Sequence, residues 1–393
     1  MRMAARSDIV CVCLAALLAP GASARGQLTR EELAAIERPR VLADAERDLR
    51  EAPVTITAFP AARSAGGLHD FYSEGDYWWP DPKNPSGPYL RRDGETNPDN
   101  FVAHRDAMRR MSQIVPTLVA AHEITNDPRY ARHAVDHLRA WFVSESTRMN
   151  PNLRYAQAIK GQVTGRGIGI IDTIHLVEVA QAVLVLERSR YLGGQPLADI
   201  QSWFRQYLTW LTTDRFGLDE RNNGNNHSVA WALQVAEFAR LIGDTAQEAA
   251  MRAFFKDTLL PQQMAPDGSF PRELARTKPY GYSLFELDLM AMLAVVLSTP
   301  NDNLWTYMTP DGRGLRVAVA YMYPYIADKH RWPKPPDVMY FDQWPVRQPA
   351  LLFAGLAFHE QRDIDLWKQL DPEPTVDEVI RNYPIRQPLL WIR

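Results

Sequence analysis

Apolar side chains recur at three- and four-residue intervals along most of this chain, and that period restricts it to amphipathic helices packed on one another. Met108, Met111, Ile114, Val115, Leu118 and Val119 form one such stripe, and Trp231, Val235, Phe238 and Leu241 form another. Polar breaks divide the stripes into pairs. Thr125-Asn126-Asp127-Pro128 ends one helix and opens the next, and Gly243-Asp244-Thr245 does the same further on. Further helices are expected over roughly 172–188, 196–213, 245–259, 283–298, 313–326 and 347–360. Two-residue alternation is scarce. Each helical hairpin carries an apolar face that must be buried against a neighbour, and a long series of them closes most economically on itself. The expectation is an all-α chain, an (α/α) toroid or barrel of about six or seven hairpins, built as one domain over residues 25–393.

Residues 1–24 read differently. Arg2 and Arg6 precede an apolar run from Ile9 to Leu18 and a small-residue junction at Ala22-Ser23-Ala24, the pattern of a cleaved export signal. A periplasmic or secreted location is expected, with the mature chain starting near Arg25. Cys11 and Cys13, the only cysteines, both fall in this leader, so the mature chain is expected to hold neither a disulfide nor a thiolate metal site. No later stretch reaches the roughly eighteen uninterrupted apolar residues of a membrane helix, and no membrane partner is expected. A formal net charge of −3 does not suit a nucleic-acid binder. A polyanionic ligand would need a locally basic groove.

Three long segments, 53–100, 144–170 and 328–346, break the helical pattern and are rich in Pro, Gly, Asn and aromatic residues. Long ordered loops on a rigid scaffold commonly carry binding groups, so these are expected to line one end of the toroid. The first includes Asp76-Tyr77-Trp78-Trp79-Pro80-Asp81-Pro82, rings beside prolines that suit stacking on sugar faces or packing of the loop itself. Two more stretches lead directly into helices. Arg221-Asn222-Asn223-Gly224-Asn225-Asn226-His227-Ser228 crowds four asparagines and a histidine at a helix entrance. Unpaired N–H groups and partial positive charge there suit a carboxylate, whereas simple N-capping accounts for one asparagine and not four. The second stretch, Asp267 to Ser283, sets Arg272, Arg276 and Lys278 beside Tyr280 and Tyr282.

With Asn226-His227 opening a helix, Glu273-Leu274-Ala275-Arg276 followed six residues later by Tyr282, and the Trp-Trp-Pro-Asp-Pro loop, the chain resembles the alginate lyase superfamily. The likeness is greatest to polysaccharide lyase family 38 and more distant to family 5, and it extends from about Tyr77 to Tyr383-Pro384-Ile385-Arg386. It implies β-elimination on a β-1,4-linked polyuronate, glucuronan or mannuronate-rich alginate, by a monomer that uses no cofactor or metal. Asn226, His227 and Arg276 would neutralise the uronate carboxylate, because the C5 proton becomes acidic only when the negative charge beside it is balanced. Tyr282 would remove that proton. A free tyrosine has a pKa of about 10, so a phenolate at neutrality requires roughly 4 kcal/mol of preferential stabilisation. In mannuronate and glucuronate the C5 hydrogen and the C4 leaving oxygen share a face, so one tyrosine can act as base and then as acid. Guluronate would need a second group on the opposite face, for which His227 is the candidate. Substrate contacts are expected from Trp78, Trp79, Tyr155, Gln157, Arg166, Tyr340 and Trp344, with Asp342 in the same loop as the last two.

Other readings fare less well. Gly165-Arg166-Gly167-Ile168-Gly169 lacks the preceding strand and the spacing of a phosphate loop. His133 and His137 lie four apart on a helix, but no third metal ligand accompanies them. A toroidal glycoside hydrolase would need two carboxylates across the scissile bond, for which Asp76, Asp81, Glu273 and Asp342 are available. A non-catalytic polysaccharide-binding protein would share the fold and the aromatics but has no need of Tyr282 and Arg276 together.

Overall fold

The computed structural model describes residues 28–392; residues 1–24, expected to be an export signal, and Cys11 and Cys13 among them lie outside the described residues. Helix α1 (Arg30–Asp48) precedes the helices expected from periodicity and opens with a capping box, in which Thr29 and Glu32 satisfy each other's backbone N–H groups. It packs on α2 (Ala103–Thr125), which turns through Asn126 in the left-handed region into α3 (Pro128–Phe142). Then come α4 (Leu176–Arg188), α5 (Gly194–Thr213), α6 (Arg215–Arg221), α7 (Asn226–Ile242) and α8 (Thr245–Phe254). Short helices α9 (Leu260–Gln263) and α10 (Pro271–Leu274) lead to α11 (Pro279–Leu297), α12 (Leu315–Ala327), α13 (Pro349–Phe358), α14 (Gln361–Gln369) and α15 (Asp377–Arg381).

Successive and alternate helices pack side by side, α2 on α3 and α4, α7 on α4, α5 and α11, and α11 on α13, which makes the chain an α/α toroid. The inner helices are apolar all round because both faces are covered. α11 is the extreme case: it is long and apolar enough to cross a membrane, yet 94% of its apolar stretch is buried inside the protein. Trp141, Trp231, Tyr207, Phe204 and Phe238 fill the core between the helix layers.

The few strands serve to fix loops. β1 (Tyr72–Glu74) pairs in parallel with β4 (Tyr155–Ala158), joining the first and second long loops at one end of the toroid. β2 (Trp78–Trp79) and β3 (Leu90–Arg91) form a small antiparallel hairpin over the same end. A register shift in the parallel pair coincides with Gln157 in the left-handed region, φ 48°, a conformation that costs a non-glycine residue energy and redirects its side chain.

Candidate active site

Those loops and the start of α7 surround a cavity of about 230 Å³ lined by Asp76, Tyr77, Trp78, Arg91, Gln157, Arg166, Asn223, Asn226, His227, Arg276, Tyr282 and Arg381, among others. Each of the asparagines before α7 has a separate task. Asn222 caps the end of α6, Asn225 caps α7 by accepting from the His227 N–H at 3.2 Å, and Asn223 reaches the cavity wall. Asn226 donates its backbone N–H and its Nδ2 to the two oxygens of buried Glu273, at 2.9 and 2.8 Å. His227 Nδ1 meets Glu220 Oε1 at 2.7 Å, so the imidazole is held from behind by a fully buried carboxylate.

Opposite them, Arg276 lies over the Tyr282 ring, 4.5 Å from its centroid, with Nη2 3.5 Å from the Tyr282 hydroxyl. Asp93 clamps the same guanidinium through Nε and Nη2 at 3.1 and 2.9 Å. Both contacts raise the Arg276 pKa, against the effect of burial, and it stays charged. The Tyr282 hydroxyl also shares a 2.8 Å hydrogen bond with the Tyr77 hydroxyl, which in turn donates to Glu378 at 3.3 Å. Lys278 donates to Glu378 and sits 5.3 Å from the Tyr282 ring centroid. Burial, with Tyr77 adding to it, pushes the Tyr282 phenol well above its ordinary range, and the pull of Lys278 and Arg276 in the other direction is the smaller effect. In the free protein Tyr282 is therefore a phenol.

Asp76, at the back of the cavity, binds Arg105 at 2.5 Å and Arg381 at 2.7 Å. Burial alone would raise its pKa; the two guanidinium groups outweigh burial and hold it at about 2. Asp76 is thus a structural anion. Glu273 is bound by Asn226, Asp81 accepts from Lys83 N within its own loop, and Asp342 is exposed away from the cavity. These positions do not supply the two carboxylates facing one another that hydrolysis requires.

Of the expected substrate contacts, Trp78, Gln157 and Arg166 line the cavity, and four others do not. Trp79 donates to Glu95 O at 2.9 Å beneath the Arg92 guanidinium. Tyr155 points to the far side of β4, where its ring fills the space a side chain at Gly66 would take. Tyr340 faces Lys278 behind the site, 5.6 Å from ring centroid to Nζ. Trp344 is a correction to the expectation: it is only 4% exposed and packs against Gly281 at the start of α11, because an indole there covers apolar surface that would otherwise be wet. The segment 328–346 as a whole contributes nothing to the cavity lining; α15, through Arg381 and Asn382, takes its place. Tyr77, Glu220, Glu378 and Arg381 carried little sequence signal, since each gains its place from a partner distant in the chain.

With this geometry in hand, comparison with known proteins is specific. A model of the alginate lyase family matches residues 55–332. An alginate lyase from Bacteroides ovatus is similar in structure with a TM-score of 0.79 and 30% identity, covering 91% of this chain and 93% of that one. Alginate lyase A1-III from Sphingomonas species A1 shares the fold, with a TM-score of 0.53 and 14% identity over 94% of this chain and 98% of its own. A variant of that protein complexed with tetrasaccharide superposes with a TM-score of 0.55 and 14% identity over the same shares. No curated protein matches the chain. The family match spans well over half of the sequence and the Bacteroides relative nearly all of it, so the chain belongs to the alginate lyase family and is a polysaccharide lyase.

Proposed function

We propose that this lyase cleaves β-1,4-linked polyuronate, glucuronan or mannuronate-rich alginate, leaving a 4,5-unsaturated uronate at the new end. The observation that carries the reading is the pairing of Arg276 with the Tyr282 hydroxyl across one cavity from Asn226 and His227. Asn226, His227 and Arg276 surround the carboxylate and stabilise the charge that develops when C5 loses its proton. Tyr282 oxygen takes that proton, the electron pair forms the C4–C5 double bond, the C4–O bond breaks, and the leaving oxygen regains a proton from Tyr282. The C5 hydrogen and C4 oxygen of mannuronate and glucuronate lie on one face, so a single tyrosine suffices.

Tyr282 must lose its own proton before it can act. Lys278 and Arg276 beside the ring favour the phenolate, and displacement of water by substrate strengthens both interactions. Export to the periplasm or medium is part of the same proposal, supported by the leader pattern up to Ala24. The test is ultraviolet absorbance of the conjugated double bond during incubation with polymannuronate, polyguluronate and glucuronan separately. A rise on either of the substrates whose reacting groups share a face, abolished in Tyr282→Phe, is the expected outcome. New reducing ends without absorbance would refute elimination.

A further inference from the structure

The segment 328–346 keeps clear of the cavity, yet it holds the stretch of chain that carries both Arg276 and Tyr282. α11 begins at Pro279, which has no N–H to donate, and its N-cap residue Lys278 makes no side-chain capping bond. A helix start leaves its first N–H groups without partners inside the helix. The Tyr282 N–H donates to Lys278 O at 3.1 Å, the first bond of the helix itself. The two N–H groups before it, those of Tyr280 and Gly281, donate to Asp337 Oδ1 and Oδ2 at 2.8 and 2.9 Å. One buried carboxylate from 57 residues beyond Tyr280 thus completes the cap that the local sequence does not supply.

The parts around this cap are fitted to it. Gly281 admits the carboxylate, since a Cβ there would stand 3.0 Å from Asp337 Oδ2 and 3.0 Å from Trp344 Nε1. The next residue, Val338, donates its N–H to Thr277 O at 3.0 Å. Thr277 Oγ1 in turn donates to Asp93 O and Oδ2 at 3.0 and 3.1 Å, and Asp93 is the residue that clamps Arg276. The Tyr280 ring lies against Trp332 and Phe341, with centroids 5.0 and 5.4 Å away. Lys329 Nζ closes the segment on itself by donating to Phe341 O and Trp344 O, both at 3.0 Å. Burial raises the Asp337 pKa to about 6, against the opposite pull of the two N–H groups, Lys278 and Lys329, so at neutrality the cap is an anion.

Resting on the reading of Tyr282 as the base, we infer that Asp337 is a positioning residue for it. Its carboxylate fixes the first turn of α11 and so holds the Tyr282 hydroxyl 3.5 Å from Arg276 Nη2 and 2.8 Å from the Tyr77 hydroxyl. Tyr282 directly follows Gly281, and its hydroxyl sits at the end of a long side chain, so a small rotation of an uncapped first turn moves the oxygen further than the backbone. A displacement of about 1 Å costs about 100-fold in rate. No residue of 328–346 lines the cavity, so contacts to bound substrate are untouched and the loss falls on kcat, with KM unchanged. The third long loop therefore serves elimination without meeting the polymer.

The test is steady-state kinetics of Asp337→Asn and Asp337→Ala beside the wild type, on whichever of polymannuronate and glucuronan the wild type cleaves. Unsaturated product is followed by absorbance, and the folded fraction of each protein is measured by circular dichroism at the assay temperature. Asn keeps one acceptor oxygen for the two N–H groups and Ala keeps none. Per folded molecule, kcat is expected to fall about tenfold in Asp337→Asn and about 100-fold in Asp337→Ala, with KM within about twofold of the wild type in both. A wild-type kcat per folded molecule in Asp337→Asn would overturn the assignment, and so would a loss carried by KM; both outcomes are readable even if Asp337→Ala does not fold. Absence of unsaturated product from the wild type on either polymer would instead overturn Tyr282 as the base, and the role of Asp337 with it.

Discussion

Glu220 and His227 form a buried pair, with Glu220 Oε1 2.7 Å from His227 Nδ1 and the carboxylate wholly shielded from solvent. A carboxylate at Nδ1 fixes that nitrogen as the donor and aims Nε2 into the cavity. Loss of such an orienting carboxylate typically costs about 10- to 100-fold in function. Glu220→Ala is expected to fall in that range for kcat/KM, and Glu220→Gln, which can still accept from Nδ1–H, to fall less. Equal activities for Glu220→Ala and the wild type in the absorbance assay would show that the imidazole needs no such support.

The state of Tyr282 sets the pH profile. Burial holds the phenol well above its usual range despite Arg276 and Lys278, so at neutrality only a small fraction of free enzyme carries the base. Raising the pH enlarges that fraction, and kcat/KM reports the free enzyme. It is expected to climb by about tenfold per pH unit from roughly pH 7 to 9. A flat profile across that interval would exclude a buried phenol as the group that must ionise.

Asp76 is expected to matter for stability more than for chemistry. Removing it leaves Arg105 and Arg381 facing one another without the anion between them. Breaking a buried pair in this way costs about 3–5 kcal/mol. Denaturant unfolding of Asp76→Ala should show a loss of that size, whereas a hydrolytic carboxylate would be replaceable with full stability and no activity.

The end of the chain supplies a second pH effect. Glu178 on α4 accepts the backbone N–H groups of Arg386 and Gln387 at 3.0 and 2.8 Å, and burial raises its pKa from 4.5 to about 7. A carboxyl group raised on folding contributes stability that is fully present below its unfolded pKa and is lost as pH rises through the folded value. The window is therefore 4.5 to about 7, and the loss is on the order of 3 kcal/mol. Glu178→Gln should flatten the decline in Tm between about pH 5 and 7.5. An identical decline in both proteins would remove Glu178 as the cause.

Helix positions were readable from the sequence because burial on a curved layer imposes its period on every hairpin, as the stripes in α2 and α7 show. α1 escaped notice because Arg and Glu occupy much of it and Pro39 interrupts it, although Thr29 and Glu32 mark its start. The motif residues Asn226, His227, Arg276 and Tyr282 converge on one cavity. Aromatic residues were ambiguous: Trp79 and Trp344 suited either sugar contact or packing, and both pack on protein, because an indole covers protein as readily as sugar and local sequence does not say which surface it will meet. The supporting shell was illegible for another reason. Glu378 matters through Tyr77, 301 residues away, and no local pattern announces a contact of that range.

That same contact makes the site a product of closure. Asp76 and Tyr77 precede Arg381 and Glu378 by about three hundred residues, so until the two segments meet Tyr77 has no anion behind it and Asp76 has Arg105 but not Arg381 beside it. Until α15 docks, the cavity lacks the wall formed by Arg381 and Asn382, and Lys278 lacks Glu378. Catalytic competence therefore depends on α15 being seated, which ties polymer cleavage to contacts that only the folded chain makes.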